Sequence, residues 1–343
     1  MTDRRPAPTI RDVARHAGVS TATVSRALSG RGTVRPDTRD AVVAAATTLG
    51  YQPSGIARSL KLRSTRTLGL LVTDIANPYF PEIVRAVEDA ALERGHTLLL
   101  CTGAEDPDRE AMYLELLAER RVDGIIIASS GLQERHRDWL GHARMPVVLV
   151  NCTSAGLALP AILSDDRAGG RAAAEHLLAL GHRRLGHVSA PRRYAAAGER
   201  LAGIGEAVRA CPGSDLAVVD GDARVEGAEA ATHALLDRHP ETTGVLCYND
   251  LSAIGALRAL RARGLHVPRD VSVVGYDDIP AAGWVEPPLT TVTQDTVTMG
   301  RWAVERLADR IGHLRDDRAE ASAEVVRLPV TLRVRASSAA PSR

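Results

Sequence analysis

The chain is poor in aromatic residues and in cysteine. It contains one Phe, three Trp and six Tyr among 343 residues, so an aromatic side chain in a loop is a candidate ligand contact. The four cysteines are scattered singly, with no CxxC pair and no histidine at metal-binding spacing. This pattern predicts reduced thiols and no metal site. We also expect no bound cofactor.

The sequence also lacks long apolar runs. No stretch of about 18 apolar residues occurs, which excludes a transmembrane helix. The N-terminal run MTDRRPAPTI leads into a polar amphipathic segment without the apolar core of a secretory signal. We therefore expect a cytoplasmic protein with no membrane partner. At roughly 150 residues per domain, the length predicts two or three domains.

The net charge of +1 conceals two oppositely charged parts. Residues 1–66 carry twelve basic and four acidic residues, a net of +8, and the remainder carries 31 basic and 38 acidic residues, a net of −7. A basic module joined to an acidic body is typical of a polyanion-binding domain attached to a domain with another task. A solvated basic tail is the alternative.

Helical periodicity argues against a tail. Thr9 with Asp12 begins a first helix that ends at Gly18, and Ser20 can cap a second. Such spacing is typical of a helix-turn-helix, whose second helix enters the DNA major groove. Pro36 opens a third helix that completes a small all-α core.

Residues 9–62, TIRDVARHAGVSTATVSRALSGRGTVRPDTRDAVVAAATTLGYQPSGIARSLKL, resemble the DNA-binding head of the lac repressor family, especially that of its ribose and purine repressors. The resemblance implies that Thr21, Ala22 and Arg26 face base edges, where arginine can pair with guanine and methyl groups can contact thymine. Ser20, Thr23 and Ser25 are expected at phosphates, which fix register. For Ser25, a solvated hydroxyl is an equal alternative.

Residues 53–62 resemble the hinge helix of the same family. A segment this short and with a glycine near its start is expected to order only against a partner. The resemblance places Ala57 and Leu60 at the DNA, with Leu60 as a wedge in the minor groove. Taken without the surrounding match, Leu60 would be assigned to a core.

Beyond residue 66 short apolar runs alternate with helical patterns. Buried parallel strands are predicted near 68–72, 98–101, 124–128, 147–150, 161–163, 185–189, 216–219, 245–247, 271–275 and 291–294. These strands are too many for one sheet, so the pattern predicts two doubly wound α/β lobes. We expect a head at 1–52, a hinge and linker at 53–66, lobe 1 at 67–162 with about 291–322, lobe 2 at 163–290 with about 323–335, and a disordered tail at 336–343.

Ligands of such sheets bind beyond the carboxyl ends of the strands. The loops that follow predicted strands contain polar and aromatic residues suited to sugar hydroxyls and sugar faces. They include Asp74, Asn77, Tyr79, Phe80, Asn151, Tyr248, Asn249, Tyr276, Asp277 and Gln294. The sequence therefore predicts a carbohydrate pocket between the lobes.

The body resembles the effector domain of the same family and, more distantly, periplasmic sugar-binding proteins. The motifs RVDGIII, GHRRLGHV, ERLAG, VSVVGYDD and PPLTTV carry this likeness. It implies a periplasmic-binding-protein-like fold and an effector pocket formed by Asn77, Tyr79, Phe80, Asn151, Arg200, Asn249, Asp277 and Gln294. An interlobe ion pair without a ligand is the alternative for Arg200 and Asp277, and packing at a helix start is the alternative for Tyr79.

Three residues depart from the family pattern and limit the choice of effector. Asn151 stands where many sugar-binding relatives carry Asp, Cys152 where the ribose-binding protein has Arg, and Tyr194 where the purine repressor has an Arg. Ribose is therefore a hypothesis, and a purine corepressor is a weaker one.

The resemblance implies a dimeric transcriptional regulator, most often a repressor, that binds a near-palindromic DNA operator under the control of a small effector. No catalytic residue is assigned, because no GxxxxGK[ST], HExxH or GxSxG motif occurs. Gly203-Ile-Gly205 resembles the start of a dinucleotide motif but is expected to serve helix packing. A solute-binding protein and a sugar-modifying enzyme are the rivals.

Overall fold

The computed structural model describes residues 8–29, 33–51, 64–153, 156–316 and 323–342. The chain divides into two compact units, residues 1–65 and residues 66–343. We call them the head and the body and describe each by itself.

The head contains α1 (Ile10–His16), α2 (Thr21–Ser29) and α3 (Pro36–Leu49). The backbone amide and the hydroxyl of Thr9 both donate to Asp12, which fixes the start of α1. Gly50 has a φ of 64°, a left-handed conformation that ends α3. Small apolar side chains from all three helices form the core, namely Val13, Ala14, Val24, Ala27, Val42, Ala45 and Ala46.

The strands of the body are, in chain order, β1 (Thr67–Val72), β2 (Thr97–Thr102), β3 (Gly124–Ala128), β4 (Val147–Val150), β5 (Ala161–Ser164), β6 (Arg184–Val188), β7 (Asp215–Val219), β8 (Gly244–Cys247), β9 (Ser272–Asp277), β10 (Thr290–Thr293), β11 (Val325–Leu328) and β12 (Thr331–Arg333). They form two sheets, with strand orders β11-β5-β4-β3-β1-β2 and β12-β10-β9-β8-β6-β7. The pairings are parallel except that of β10 with β12. The predicted pair of parallel α/β lobes is confirmed.

The helices of the body are α4 (Tyr79–Glu93), α5 (Pro107–Glu119), α6 (Glu134–His142), α7 (Asp166–Ala179), α8 (Ala195–Ala210), α9 (Val225–Arg238), α10 (Asp250–Ala262) and α11 (Thr296–Arg315), with a short 3₁₀ helix at Pro280–Gly283. Lobe 1 is the first sheet with α4, α5, α6 and α11, and lobe 2 is the second sheet with α7 to α10. The central strands are buried on both faces, which explains their continuous apolar sequences. In the described part of the body, no helix has the length and apolar character needed to cross a membrane.

The chain crosses between the lobes at three places, and all three differ from the expected domain boundaries. Strand β10 belongs to the second sheet, so the segment that returns to lobe 1 begins after residue 293 and not at 291. Strand β11 pairs with β5 in the first sheet, although residues 323–335 were expected in lobe 2. Strand β5 also extends to Ser164, beyond the expected end of the first segment at 162. An apolar run has the same local pattern in either sheet, so only its long-range partner decides its lobe.

The disordered tail predicted from residue 336 is wrong for residues 336–342. Ser337 is fully buried, donates to the Val273 carbonyl and accepts from the Thr290 amide. The amide of Ala339 donates to Ser272, and the Ser342 hydroxyl donates to the Arg269 carbonyl. The small polar composition of this segment suggested a free end, but the same hydroxyls satisfy backbone groups at the edge of lobe 2.

All four cysteines are unpaired. Three are buried, and burial raises the pKa of Cys152 to about 12. Cys152 belongs to the core of lobe 1. The departure from the family pattern at position 152 is thus a core substitution.

Candidate functional site

The exposed face of α2 is the first candidate site. Thr21, Ala22 and Arg26 are exposed, while Val24 and Ala27 point into the head core. Ser20 begins the helix by accepting a 3.1 Å hydrogen bond from the backbone amide of Thr23. The helical period therefore presents together the three side chains that the family resemblance places at base edges.

Two of the residues predicted to contact phosphates, Ser20 and Thr23, form hydrogen bonds within the start of α2. The hydroxyls of Ser20 and Thr23 lie 2.9 Å apart and are hydrogen-bonded to each other, and Ser25 is half-buried. The predicted hinge helix, with Ala57 and Leu60, lies outside the described residues.

The second candidate site is a cavity of about 280 Å³ in the body. Its wall combines residues that follow β1 and β4 in lobe 1 with residues that follow β8 and β9 in lobe 2. It therefore lies where the carboxyl ends of the two sheets face each other, as expected for this architecture. Seven of the eight residues predicted for the pocket line it: Asn77, Tyr79, Phe80, Asn151, Arg200, Asn249 and Asp277.

Arg200, on α8, is the cation at the base of the cavity. Its Nε donates to Asp166 at 2.8 Å, and its Nη1 donates to the Tyr248 carbonyl at 2.6 Å. The guanidinium stacks over the ring of Tyr276, 3.5 Å from the centroid. Burial opposes the charge, but Asp166 and the other groups around the guanidinium outweigh it and hold the pKa of Arg200 well above its ordinary value. Arg200 therefore remains a buried, oriented cation.

Close packing of α7 on α8 positions this arginine. An added Cβ at Gly170 would lie 2.2 Å from the Arg200 carbonyl oxygen, and one at Gly203 would lie 1.9 Å from the Arg167 carbonyl oxygen. Glycine at both positions lets the two backbones meet and brings Asp166 within reach of Arg200. Gly203 serves packing, as the sequence predicted.

Asp277 ends β9 beside the same arginine. Its Oδ1 lies 3.8 Å from Arg200 Nη2 and accepts a 2.7 Å hydrogen bond from Gln294 Nε2. Burial raises the pKa of Asp277 well above its ordinary value, while Arg200 opposes the rise. The residue has a φ of 105°, a strained backbone for a residue with a side chain. The surrounding structure holds this carboxyl toward the cavity.

Gln294 lies behind the cavity wall and connects the lobes. Its Oε1 accepts from Ser164 at 2.6 Å and from Tyr79 Oη at 3.1 Å, while its Nε2 reaches Asp277. Burial raises the pKa of Tyr79 well above its ordinary value, so its hydroxyl stays protonated. Asn151 donates to the same hydroxyl. This hydrogen-bond network links the crossover segments at Ser164 and Gln294 to Tyr79 on the lobe 1 wall and Asp277 on the lobe 2 wall of the cavity.

Asn249 lines the cavity and also stabilises the local fold. Its Oδ1 accepts from the Ser252 amide at 2.8 Å and caps α10, and its Nδ2 donates to the Ala223 carbonyl at 3.1 Å. Asn77 similarly accepts from the Tyr79 amide at 3.1 Å and keeps its amide donor. Asn77 is therefore the better placed of the two to bond a ligand.

Aromatic rings line two sides of the cavity. Tyr79 and Phe80 meet edge to face with centroids 5.5 Å apart in lobe 1, and Tyr194 lies 6.0 Å from Tyr248 in lobe 2. Such rings offer flat apolar surfaces beside the hydrogen-bonding groups at the base.

Five charged or aromatic lining residues were not assigned to the pocket: Glu105, Asp166, Tyr194, Arg224 and Glu226. Asp166 follows β5, Glu105 follows β2 and Arg224 follows β7. The rule of strand carboxyl ends, applied to every strand, would have indicated all three. Tyr194 follows β6, so the same rule would also have indicated Tyr194 as a pocket residue.

The cavity is more acidic than basic. It is lined by five carboxylates, at Asp74, Glu105, Asp166, Glu226 and Asp277, and by two guanidinium groups, at Arg200 and Arg224. Within the described ranges, no group of three or more His, Cys, Asp or Glu residues is placed to hold a metal ion. This arrangement suits a neutral ligand with several hydroxyls better than an anion.

A basic helical head with an exposed recognition surface and a two-lobed body with a polar cleft together define an effector-regulated DNA-binding protein. Comparison with known families agrees. Residues 9–54 match the bacterial regulatory proteins of the lacI family, and residues 65–336 match the periplasmic binding proteins and sugar binding domain of the LacI family. The chain belongs to the LacI family and is a transcriptional regulator of the repressor type.

Two curated relatives span nearly all of the chain. The ribose operon repressor of Halalkalibacterium halodurans is 38% identical over 303 residues, 88% of this chain and 90% of its own length. The transcriptional repressor PurR of Photorhabdus laumondii is 38% identical over 313 residues, 90% of this chain and 92% of its own length.

Solved structures give the same assignment. The lac repressor dimer bound to operator and the anti-inducer ONPF is 29% identical, with a TM-score of 0.85 over 98% of this chain and 100% of that chain. A LacI family regulator from Enterococcus faecium with bound ribose is 32% identical, with a TM-score of 0.70 over 80% of this chain and 99% of that chain.

Proposed function

We propose that this protein is a dimeric repressor that binds a near-palindromic operator and releases or tightens its grip when a neutral monosaccharide, ribose in the first instance, occupies the cleft of the body. The single observation that carries the proposal is the cavity between the lobes, with Arg200 and Asp277 at its base. A bacterial repressor acts on DNA in the cytoplasm, so we assign the protein to that compartment. We propose no catalytic role for it.

The head supports the DNA-binding part of the proposal. Arg26 provides a guanidinium on the exposed face of α2, beside the methyl groups of Thr21 and Ala22. In a dimer, two such helices read two half-sites related by two-fold symmetry. We assign Ser20 and Thr23 to phosphates in addition to their hydrogen bonds within α2, and Ser25 either to a phosphate or to solvent. We assign Ala57 and Leu60 of the hinge to the minor groove.

The dimensions and charge of the cavity support a monosaccharide. Its volume of about 280 Å³ lies just below the range of about 300–1,000 Å³ for pockets that hold drug-sized ligands, as suits a smaller molecule. Arg200 and Asp277 offer a donor and an acceptor for adjacent hydroxyls, and nearby rings can cover the sugar faces. A phosphate ester would meet more carboxylates than guanidinium groups. Ribose is named because one relative is a ribose operon repressor and one similar structure contains ribose.

Purine corepression is a weaker candidate, although several relatives are named PurR. Tyr194 lies in the cavity wall at the position where the sequence departs from the purine repressor. A role as a solute-binding protein is disfavoured, because it does not explain the basic helix-turn-helix head.

The full-length protein should be titrated by calorimetry with ribose, other pentoses, hexoses, a disaccharide, ribose 5-phosphate and hypoxanthine. We expect saturable binding of a neutral monosaccharide and no binding of the phosphate ester. Gel-shift titration against palindromic DNA, with and without that sugar, tests the regulatory part. Binding of the phosphate ester alone, chemical turnover of the sugar, or failure to bind any palindrome at low salt would refute the corresponding part of the proposal.

The wedge role of Leu60 has its own test. Leu60→Ala should lower operator affinity and reduce DNA bending, because the kink depends on an apolar side chain between base steps. Bending is measured by gel mobility of circularly permuted fragments, and sugar binding by calorimetry is the control. Bending equal to that of the parent protein would remove Leu60 from the minor groove.

A further inference from the structure

Three ion pairs cross between the lobes at the mouth of the cavity. The guanidinium of Arg224 in lobe 2 lies 3.5 Å from the carboxylate of Asp74 and 3.6 Å from that of Glu105, both in lobe 1. Glu105 also lies 3.0 Å from Arg193 of lobe 2. Arg224, Asp74 and Glu105 line the cavity, so these pairs lie at the ligand site.

The loops that carry these charges are held in place. Asp74 follows β1 and Glu105 lies between β2 and α5. Arg224 is the residue before α9, and its backbone amide donates to the Asp222 carboxylate at 2.9 Å. The bridging side chain therefore extends from the fixed end of a helix.

The lobes also meet closely beside these charges. A Cβ added at Gly131 of lobe 1 would lie 2.3 Å from the backbone carbonyl oxygen of Arg193 in lobe 2. A side chain at 131 is therefore incompatible with the observed approach of the two loops. The structure is in a closed arrangement at the mouth, and both charge and shape favour it.

We propose that Arg224 is the gate residue of the cleft: by bridging Asp74 and Glu105 it holds the two lobes together at the mouth and sets how long an effector stays bound. Its side chain is 52% exposed, against 22% for Asp74 and 19% for Glu105. Pairs this exposed are weak and screened by salt, so the gate opens reversibly. The role of Arg224 in effector retention rests on the proposed function. Its role in holding the lobes closed does not depend on that function.

The closure is tested on the full-length, ligand-free protein by hydrogen exchange. Arg224→Gln removes the charge and should speed exchange of the mouth loops 73–77 and 103–106 of lobe 1 as well as 222–226 of lobe 2, by roughly three- to tenfold. Arg301→Gln is the matched control, because Arg301 is 49% exposed and pairs with Glu93 within lobe 1. Faster exchange confined to 222–226 would overturn the proposal, as would an equal effect of the control.

A second variant separates the bridge from local damage. Glu105→Gln removes the acceptor and should produce the same exchange pattern. The double variant Arg224→Gln/Glu105→Gln should be less than additive, because the two residues share one interaction. Full additivity would show that the two side chains act independently and would contradict the bridge.

A steric variant tests closure without changing charge. Gly131→Ala should hold the mouth apart and speed exchange of the same loops on both lobes, since a methyl group cannot fit beside the Arg193 carbonyl. Unchanged exchange in this variant would contradict the closed approach of the two loops.

Retention is tested by stopped-flow dissociation of ribose. Arg224→Gln should release ribose about three- to tenfold faster, and Arg301→Gln should release it at the parent rate. Equal rates in the parent and Arg224→Gln would overturn the retention role. If the parent protein does not bind ribose, the choice of sugar is wrong, while the exchange experiments still decide whether Arg224 closes the lobes.

Discussion

At the scale of single residues, the site depends on buried charges that compensate one another. Arg200 is held between Asp166 and Asp277 and covered by tyrosine rings. A buried cation without such partners would be strongly destabilising. The same arrangement leaves an oriented donor and acceptor at the base of the cavity, so the side chains that stabilise the buried charge are also those that we propose to bind the sugar.

Asp277→Asn tests the binding task. The amide keeps the size of the side chain but replaces one carboxyl oxygen by an NH₂ group, so a sugar hydroxyl loses its acceptor and ribose affinity should fall by about 1–3 kcal/mol, the cost of leaving a buried polar group without its partner. Calorimetry measures the affinity, and operator binding without sugar is the control. Parent-like ribose affinity would exclude Asp277 as a ligand contact.

Asp250 predicts a pH dependence of stability. It is fully buried, accepts from the Thr291 hydroxyl at 2.6 Å and from the Ile279 amide at 2.9 Å, and its pKa is raised to about 7, chiefly by burial. Because the folded-state pKa lies above the unfolded one, the bound proton stabilises the fold; this contribution is fully present below about pH 4 and is lost as pH rises from there through about 7.

Asp250→Asn mimics the protonated carboxyl and should remove this dependence. Relative to the variant, the parent should lose on the order of a few kcal/mol of unfolding free energy between about pH 4 and pH 8. Urea denaturation at fixed protein concentration measures the difference. Parallel pH profiles for the two proteins would show that Asp250 does not titrate in this range.

At the scale of elements, the contact between α7 and α8 decides the geometry of the site. Gly170 and Gly203 allow the two backbones to touch, and Arg200 lies one turn before Gly203. Helix propensity alone would favour alanine at both positions. Close packing therefore outweighs local preference where the site is built.

Gly203→Ala should destabilise the body by about 1–3 kcal/mol, because its methyl group would overlap a backbone carbonyl. It should also weaken ribose binding by shifting Arg200. Gly198→Ala is the matched control on the same helix, since nothing lies within 4 Å of an added Cβ there. That control should be neutral or stabilising by about 0.5–1 kcal/mol. Destabilisation by the control and not by Gly203→Ala would refute the packing role.

At the scale of the whole molecule, three crossovers and a shared cavity make the two lobes one system. Gln294 links Ser164 at one crossover to Tyr79 and Asp277 on opposite walls. A ligand that bonds Asp277 therefore acts on a network that spans both lobes. Coupling between a sugar and an operator requires such differential contacts in two arrangements of the body.

Linkage gives a prediction that needs no assumption about the direction of the response. If ribose changes operator affinity by a given factor, typically about 5- to 150-fold, operator must change ribose affinity by the same factor. Gel shifts with and without ribose, and ribose titrations with and without operator at one salt concentration, measure both sides. Unequal factors would mean that a further binding equilibrium contributes.

Much of the fold could be predicted from the sequence. The apolar runs at β3 and β4 have the predicted bounds. The short strands β11 and β12 were not predicted, since each is only half-buried at a sheet edge.

Candidate residues followed from position along the chain, but their partners did not. Asp277 was indicated by its place after a predicted strand and Arg200 by the resemblance to the family's effector domain, whereas the pairing of Arg200 with Asp166 joins residues 34 apart in the chain. The bridge from Arg224 to Asp74 spans a much longer separation between two lobes. Local periodicity contains no information about such distant contacts.

The amino-acid sequence alone determined the basic head, the alternation of strands and helices and the loops in which ligand contacts lie, because these depend on charge, apolar period and strand polarity. Only the tertiary structure decided which sheet receives β10 and β11, where the C-terminal segment docks and which charges meet across the cleft. Those outcomes depend on burial and close approach between distant parts of the chain, and these arise only when both lobes have folded.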